Sequence, residues 1–431
     1  VGAKRNMGEY SKVVGQVQDI VRKQNQWRKK ECINLIASEN VTSPLVDAAY
    51  QSDFSHRYAE GEPGKRFYNG VKYVDEIEPI CNELAKKLFS AKLANCQTVS
   101  ATVANMAMVR MFTQPTSTVM SNSASGGGHI SHNKMGAVGL SGCNQVSFPT
   151  TEDGYHIDVD AAKKTIEKTG KDLRNRFSLA IFGCSMFLFP QPVKELAPVI
   201  KDQGATVAYD AAHVLGLVAG KKFQQPLAEG ADIMVSSTHK TFFGPQGGLM
   251  LANMEEDQWK RYRPYVFPGV LSNYHLHRFP ALAIAFAEML EFGESYATQV
   301  TKNAKSFAAA LAKEGFAVQA EQFGYTQSHQ VMVDMTPQGG GKQAANKLEE
   351  SNIILNFNLL PFDAGSKVAN PSGVRIGVQE MTRWGMKEGD FDELAVLFRK
   401  ALIEDKNCKD EVLALRGKFQ KVQYTFDLPV A

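Results

Sequence analysis

From Tyr73 to about Phe267 the chain alternates short apolar runs with stretches of helical spacing, and this alternation limits its fold more than any other feature. Residues 118–121, 145–148, 179–183, 206–209 and 233–235 have strand length and apolar composition, and helical stretches such as 193–201 lie between several of them. Two strands that run the same way need a crossover between them, so the order predicts a mostly parallel sheet covered by helices. In such sheets the groups that do chemistry gather beyond the carboxyl ends of the strands, where Ser185, Asp210, His213 and Lys240 fall.

On either side the pattern changes. Residues 13–29 place Val14, Val17, Ile20 and Val21 at helical spacing on a polar background, which predicts an amphipathic arm that docks on a partner subunit. Residues 280–294 predict a long apolar helix, with Pro280 in its first turn where a missing amide hydrogen costs nothing. Beyond it lies a smaller region with strands near 330–333 and 374–378 and a closing helix over 390–402. The loop Gln338-Gly339-Gly340-Gly341-Lys342 reads as a turn, because it lacks the spacing of a phosphate loop.

Lys240 stands on a glycine-bounded loop directly after the apolar run ending at Val235. Desolvation there favours the neutral amine, which condenses with an aldehyde such as that of pyridoxal phosphate. A solvated surface lysine is the ordinary alternative, so partners elsewhere must carry the reading. Asp210 ends another strand about thirty residues earlier, far enough for a strand, a crossover and the next strand. A buried carboxylate keeps a pyridine nitrogen protonated, although an Asp after a strand also serves as a helix cap or turn former. His213 can hydrogen-bond that Asp or the ring hydroxyl, or be a structural histidine. Ser100 and Thr102 sit at the start of a helical run, where phosphate binds and where simple caps also occur. Gly126-Gly127-Gly128-His129 reads as a flexible loop delivering an imidazole to a ring face, or as a glycine-rich turn with an incidental histidine.

Composition narrows the class. With 431 residues, 44% hydrophobic and 22% charged, the chain suits an ordinary soluble protein of two or three domains. A net charge of +3 gives no reason to expect nucleic acid or a membrane surface as partner. Cys32, Cys81, Cys96, Cys143, Cys184 and Cys408 lie far apart, which predicts neither a disulfide scaffold nor a metal site and fits a reducing cytoplasm. Residues 1–30 lack a signal-peptide core and nowhere do 18 apolar residues run together, so the expectation is a soluble, cytoplasmic protein.

Two long motifs, Ile36-Ala37-Ser38-Glu39-Asn40 and Tyr58-Ala59-Glu60-Gly61-Glu62-Pro63-Gly64-Lys65-Arg66-Phe67-Tyr68, resemble those of the serine hydroxymethyltransferase family. So do Ser237-Thr238-His239-Lys240 and Ser372-Gly373-Val374-Arg375-Ile376-Gly377, while Gly244-Pro245-Gln246-Gly247-Gly248 and Phe267-Pro268-Gly269-Val270 look closer to the archaeal branch. The resemblance spans residues 35 to about 387. It implies an α/β protein of the pyridoxal phosphate fold-type I, with a mostly parallel seven-stranded sheet in a large domain and a smaller α+β C-terminal domain. The corresponding division is an N-terminal segment 1–55, a cofactor-binding domain 56–280 and a small domain 281–431, in a homodimer with shared active sites.

Carried over by position, Lys240 resembles the Schiff-base lysine, Asp210 the pyridine-nitrogen partner and His129 the stacking imidazole. Ser100, Ala101 and Thr102 resemble the phosphate cup, with Ser185, His213, Thr238 and His239 around the cofactor, and Gly269 resembles a glycine that reaches the phosphate from the neighbouring subunit. Ser38 and Arg375 resemble the pair that holds the amino-acid carboxylate, a role that suits a bidentate guanidinium. Glu60 and Tyr68 look like the acid/base residue and its companion, contributed with Tyr58 by the other subunit.

The implied activity interconverts L-serine and glycine with a tetrahydropterin, tetrahydrofolate or tetrahydromethanopterin, as one-carbon carrier, and Asn358 with Asn356 resembles the asparagine pair that faces it. Phe357 stands where the family usually has lysine, Ala101 and Asn69 where it has glycine, and Thr102 where it has serine. Phe323-Gly324-Tyr325-Thr326-Gln327-Ser328-His329-Gln330-Val331 and the run Gly377 to Arg383 also look like L-threonine transaldolases, which act on β-hydroxy-α-amino acids without a pterin. A non-catalytic pyridoxal phosphate binding protein is the weakest reading, since Lys240, Glu60 and Arg375 all stand.

Overall fold

A computed structural model of the protein describes residues 9–124, 126–172, 174–363, 367 and 369–430. Residues 1–8 of the expected N-terminal segment, and positions 125, 173, 364–366, 368 and 431, lie outside the described residues. The central sheet has seven strands: β1 (Leu93–Asn95), β2 (Thr118–Ser121), β3 (Asn144–Ser147), β4 (Phe177–Phe182), β5 (Thr206–Asp210), β6 (Ile233–Ser237) and β7 (Gly248–Ala252). Their order is β1-β7-β6-β5-β4-β2-β3, with β7 antiparallel to both neighbours and every other pair parallel.

Alternation along the central strands feeds two cores. Ala180, Phe182, Val207, Tyr209 and Met234 point into one, and Leu179, Ile181, Ala208, Ile233 and Val235 into the other. Both faces are therefore apolar, as a helix-covered parallel sheet requires. The expected parallel strands all form, the second one residue earlier than its sequence pattern suggests. The antiparallel edge was not legible: β1 is three residues long, and β7 directly follows the glycine-rich loop after Lys240.

The helices that matter for the site are α1 (Glu9–Gln26), α2 (Lys72–Phe89), α3 (Ala101–Phe112), α4 (Arg278–Lys313), α5 (Glu388–Leu402) and α6 (Lys409–Gly417). Helix α4 runs 36 residues, far past the expected end near Glu294. Its buried Ala297, Val300, Ala304, Phe307 and Leu311 continue the helical spacing, but Gln299, Thr301, Lys302 and Asn303 dilute the pattern in the sequence. Asn303 is held by Thr382 and the Met386 carbonyl, so tertiary contacts sustain the second half. The helix packs on α2 beside the large sheet and on α5 beside the C-terminal one, and position 281 lies in its first turn.

The C-terminal region carries an antiparallel sheet of four strands, β8 (Ala317–Val318), β9 (Gln330–Asp334), β10 (Asn356–Asn358) and β11 (Gly373–Gly377), in the order β8-β9-β11-β10. The expected closing helix, α5, is followed by α6 and a tail that returns to Arg383 and Glu288. Val13, Val14, Val17, Ile20 and Val21 of α1 are each at least half exposed, leaving an apolar stripe uncovered.

Candidate active site

Asp210 ends β5 and sits level with Val235 of β6, which places its carboxylate at the rim where α3 begins. It accepts hydrogen bonds from Asn105 Nδ2 (2.8 Å) and lies 2.9 Å from His132 Nε2. Burial alone would raise its pKa, but His132, by hydrogen bond and charge, and Asn105 reverse that and hold it well below the usual carboxylate range. The neighbouring strand end comes close because Gly183 has φ +112 and no Cβ, which would fall 2.2 Å from the Asp210 carbonyl oxygen.

A cavity of about 170 Å³ opens between these strand ends. Ser100, Ala101, Thr102, His129, Ser185, Asp210, His213, His239 and Lys240 all line it, so nine of the expected site residues meet in one place. Ser100 is the N-cap of α3, its hydroxyl accepting from Val103 N at 3.2 Å, and the free amide hydrogens of the first turn face outward with it. Lys240 is half-buried by surface because its cavity opens to solvent, yet the protein around its amine lowers its pKa from 10.5 to about 8. Burial leads that shift, Arg375 adds to it, and Asp210 opposes it. Burial, with the charges of Lys240 and Arg278 behind it, takes His239 down to about 4.

The geometry departs from the sequence reading at three points. Gly126-Gly127-Gly128 is not a flexible loop: Gly127 (φ +80) packs against Met186, and a Cβ on Gly128 would sit 2.2 Å from Asn122 O. His129 is thus delivered by a tightly packed turn, with Nδ1 2.7 Å from Ser131 Oγ. Thr238 does not line the cavity, because its hydroxyl donates to Pro245 O and braces the loop after Lys240. His213 also leaves Asp210 to His132, and its Nδ1 faces Gln330 Nε2 at 3.1 Å.

Arg375, on β11, is buried, and among the described residues no acid pairs with it. Its guanidinium donates to Ser185 O (2.8 Å) and to Asn356 Oδ1 (3.2 and 3.3 Å), and burial lowers its pKa to about 10. An uncompensated buried cation calls for an anionic ligand. Ser38 opens on an adjoining cleft of about 430 Å³ that shares His239 with the cofactor cavity. The loop bearing it is clamped: Gln379 Nε2 donates to Ile36 O (2.8 Å) and Glu39 O (2.7 Å), and Asn40 Nδ2 donates to Lys240 O (2.6 Å). Asn358 and Phe357 line a third cavity of about 320 Å³, which shares Ser185.

Glu60, Tyr58, Tyr68 and Gly269 do not reach the cavity of their own chain. The motif that carries the first three forms a short hairpin, with Gly61 opposite Arg66 and Glu62 opposite Lys65. Buried Arg66 pins it to α2 through Asp75 (2.7 Å) and Glu78 (2.6 Å), and to Ala59 O, Gly61 O and the Tyr274 hydroxyl. Glu60 accepts from Ser272 Oγ at 2.7 Å, while Tyr58, Phe67 and Tyr68 stand 52%, 76% and 42% exposed. Sequence reasoning missed Asn105, His132, Gln330 and Gln379, each of which acts on an expected residue from another element. His132, three residues after His129, was the legible one.

The donor set suits pyridoxal phosphate: an amine of lowered pKa, an ionised carboxylate and a helix start converge on one cavity. A family model described as serine hydroxymethyltransferase matches residues 11–398. A serine hydroxymethyltransferase of Thermococcus gammatolerans is 51% identical over 426 residues, covering 97% of this chain and 98% of its own length. One from Saccharolobus islandicus is 47% identical over 421 residues, covering 97% and 96%. Among solved structures, an L-threonine transaldolase from Pseudomonas fluorescens superposes with a TM-score of 0.86 at 26% identity, covering 97% of this chain and 95% of its own. The fold is that of the fold-type I pyridoxal phosphate enzymes.

Proposed function

This chain belongs to the serine hydroxymethyltransferase family, and we propose that it interconverts L-serine and glycine, passing the one-carbon unit to a tetrahydropterin. It is a pyridoxal phosphate-dependent transferase. The observation that carries the reading is that Lys240 and Asp210 line one cavity while the buried Arg375, unpaired with any acid among the described residues, donates to Ser185 O at its wall. Bound there, the cofactor would supply a protonated ring that draws electrons from the substrate α-carbon.

The chain's own residues would do the rest. Lys240 holds the cofactor aldehyde, Asp210 keeps the ring nitrogen charged, and the first turn of α3 with Ser100 and Thr102 holds the phosphate. Arg375 takes the substrate carboxylate in a bidentate grip, with Ser38 at the cleft beside it. Glu60 of a second copy, flanked by Tyr58 and Tyr68, takes the proton of the substrate β-hydroxyl as the Cα–Cβ bond breaks, and Gly269 of that copy closes the phosphate end. The exposed aromatic hairpin and the uncovered stripe of α1 support a homodimer. Six free, buried cysteines support a reducing cytoplasm. Among the described residues no helix is long and apolar enough to cross a membrane.

A second reading, L-threonine transaldolase, is favoured by the Pseudomonas fluorescens structure and by Phe357, whose ring makes the third cavity more apolar than a lysine would. Turnover of L-serine and L-threonine, with and without tetrahydrofolate or tetrahydromethanopterin, separates the two. Serine cleavage that requires the pterin is the expected result. Pterin-independent acetaldehyde release from threonine, with capture of an added aldehyde, would move the protein to the transaldolases.

A further inference from the structure

We propose that Gln330 is a positioning residue that fixes which ring nitrogen of His213 carries its proton, so that the imidazole presents an N–H donor to the cofactor cavity. The proposal rests on the reading that this cavity holds pyridoxal phosphate. Gln330 opens β9 and is fully buried, and each of its polar atoms has a defined use. Its Oε1 accepts from Phe187 N at 2.7 Å, and its Nε2 lies 3.0 Å from Ser185 O and 3.1 Å from His213 Nδ1. Turned over, the amide would set its oxygen against the Ser185 carbonyl and its N–H against that of Phe187. Two backbone groups that cannot exchange roles therefore fix its orientation.

A third neighbour does not compete. His329 Nε2 is 3.5 Å from Gln330 Nε2 but 3.2 Å from Ala37 O, an acceptor only, so it bears its own proton. The two amide hydrogens of Gln330 thus go to Ser185 O and His213 Nδ1, and that nitrogen must be bare. Burial first, then the charges of Lys240 and Arg375, holds His213 well below its usual pKa, so the ring is neutral and its proton is on Nε2. Among the described residues no hydrogen bond engages Nε2, and His213 lines the cavity. Arg375 donates to the same Ser185 carbonyl, so one oxygen ties the substrate-side arginine to the glutamine that orients the cofactor-side histidine.

The test is nitrogen NMR on holoenzyme labelled with 15N-histidine, with His213→Ala identifying the signal. The expected wild-type result is a bare, hydrogen-bonded Nδ1 and a protonated Nε2. In Gln330→Met, which fills the space but cannot donate, the Nδ1 resonance should shift and pyridoxal phosphate should bind about tenfold more weakly, the loss of one buried hydrogen bond. A protonated Nδ1 in the wild type overturns the proposal whether or not the variant folds, and so do unchanged His213 resonances in Gln330→Met. If His213→Ala leaves cofactor affinity and the visible absorbance untouched, the underlying reading of the cavity fails; if only Gln330→Met is silent, the role of Gln330 alone falls.

Discussion

Glu380 sits in the helical turn Gln379–Arg383, 4% exposed, with one carboxyl oxygen accepting from Asn34 Nδ2 (2.9 Å) and Trp384 Nε1 (3.4 Å). Among the described residues no cation pairs with it: Arg28 bonds Asn34 and pairs with Glu39 instead. Burial foremost, and the Glu39 charge behind it, pushes the Glu380 pKa from 4.5 up to about 7, while Asn34, Trp384 and Arg28 oppose. A displacement from 4.5 to about 7, at about 1.4 kcal/mol for each tenfold change in proton affinity, corresponds to roughly 3 kcal/mol. The folded state binds the proton more tightly, so this stability is fully present below pH 4.5 and is lost as pH rises through 7. Buried histidines such as His239 and His329 change stability in the opposite sense over part of that window, but they cancel between two proteins that share them. Glu380→Gln cannot ionise, so its advantage over wild type should grow between pH 4.5 and 8. At roughly 2 cal/mol/K per residue for unfolding entropy, 3 kcal/mol over this chain length is a relative gain in melting temperature of about 3 °C. Thermal melts of both proteins at pH 5 and pH 8 measure it. An equal gap at the two pH values would refute the buried, unpaired carboxyl.

Lys240→Ala should abolish the visible absorbance of the bound cofactor and its trapping by borohydride, read on the purified variant. Glu60→Gln should keep cofactor and glycine binding yet lose about 10²- to 10⁴-fold in serine cleavage, the scale of general acid–base catalysis, measured by aldehyde release. Mixed and refolded with Lys240→Ala chains, it should recover about a quarter of wild-type activity, since half the dimers are mixed and one of their two sites is whole. Arg375→Lys should raise the KM for serine about tenfold or more while leaving the cofactor spectrum unchanged, because an ammonium cannot reproduce the bidentate grip.

What was legible in the sequence had a local pattern. The central parallel strands read out because they are buried on both faces and so are apolar along their length, and Asp210 and Lys240 read out because one ends such a run and the other follows one closely. What was missed acts across the chain. His132 reaches Asp210 over 78 positions, Gln330 reaches His213 over 117, and Gln379 reaches Ile36 over 343, and apart from the nearness of His132 to His129 nothing local marks such a residue as the partner of one so far away. The second half of α4 failed for the same reason: its helicity is paid for by contacts with residues near Thr382 and Met386, not by its own spacing. The glycine run before His129 misled in another way, since glycine marks close packing as readily as freedom, and only the proximity of Met186 and Asn122 distinguishes them.

The fixed position of the Glu60 hairpin bears on where the chemistry is assembled. Arg66 spends its guanidinium on two carboxylates, two carbonyls and a tyrosine hydroxyl, almost all of them out of solvent, and leaves side-chain exposure of only 2%. Breaking that set to swing Glu60 toward Lys240 of its own chain would strand a buried cation and the Glu78 carboxylate, a cost of several kcal/mol. The hairpin is therefore built to hold Glu60 where it is. A carboxylate so firmly placed away from its own cavity, beside three exposed aromatic rings, serves the proposed reaction only if a second copy brings its cavity to it. On that reading Arg66, which touches no substrate, is what makes the dimer a condition of catalysis.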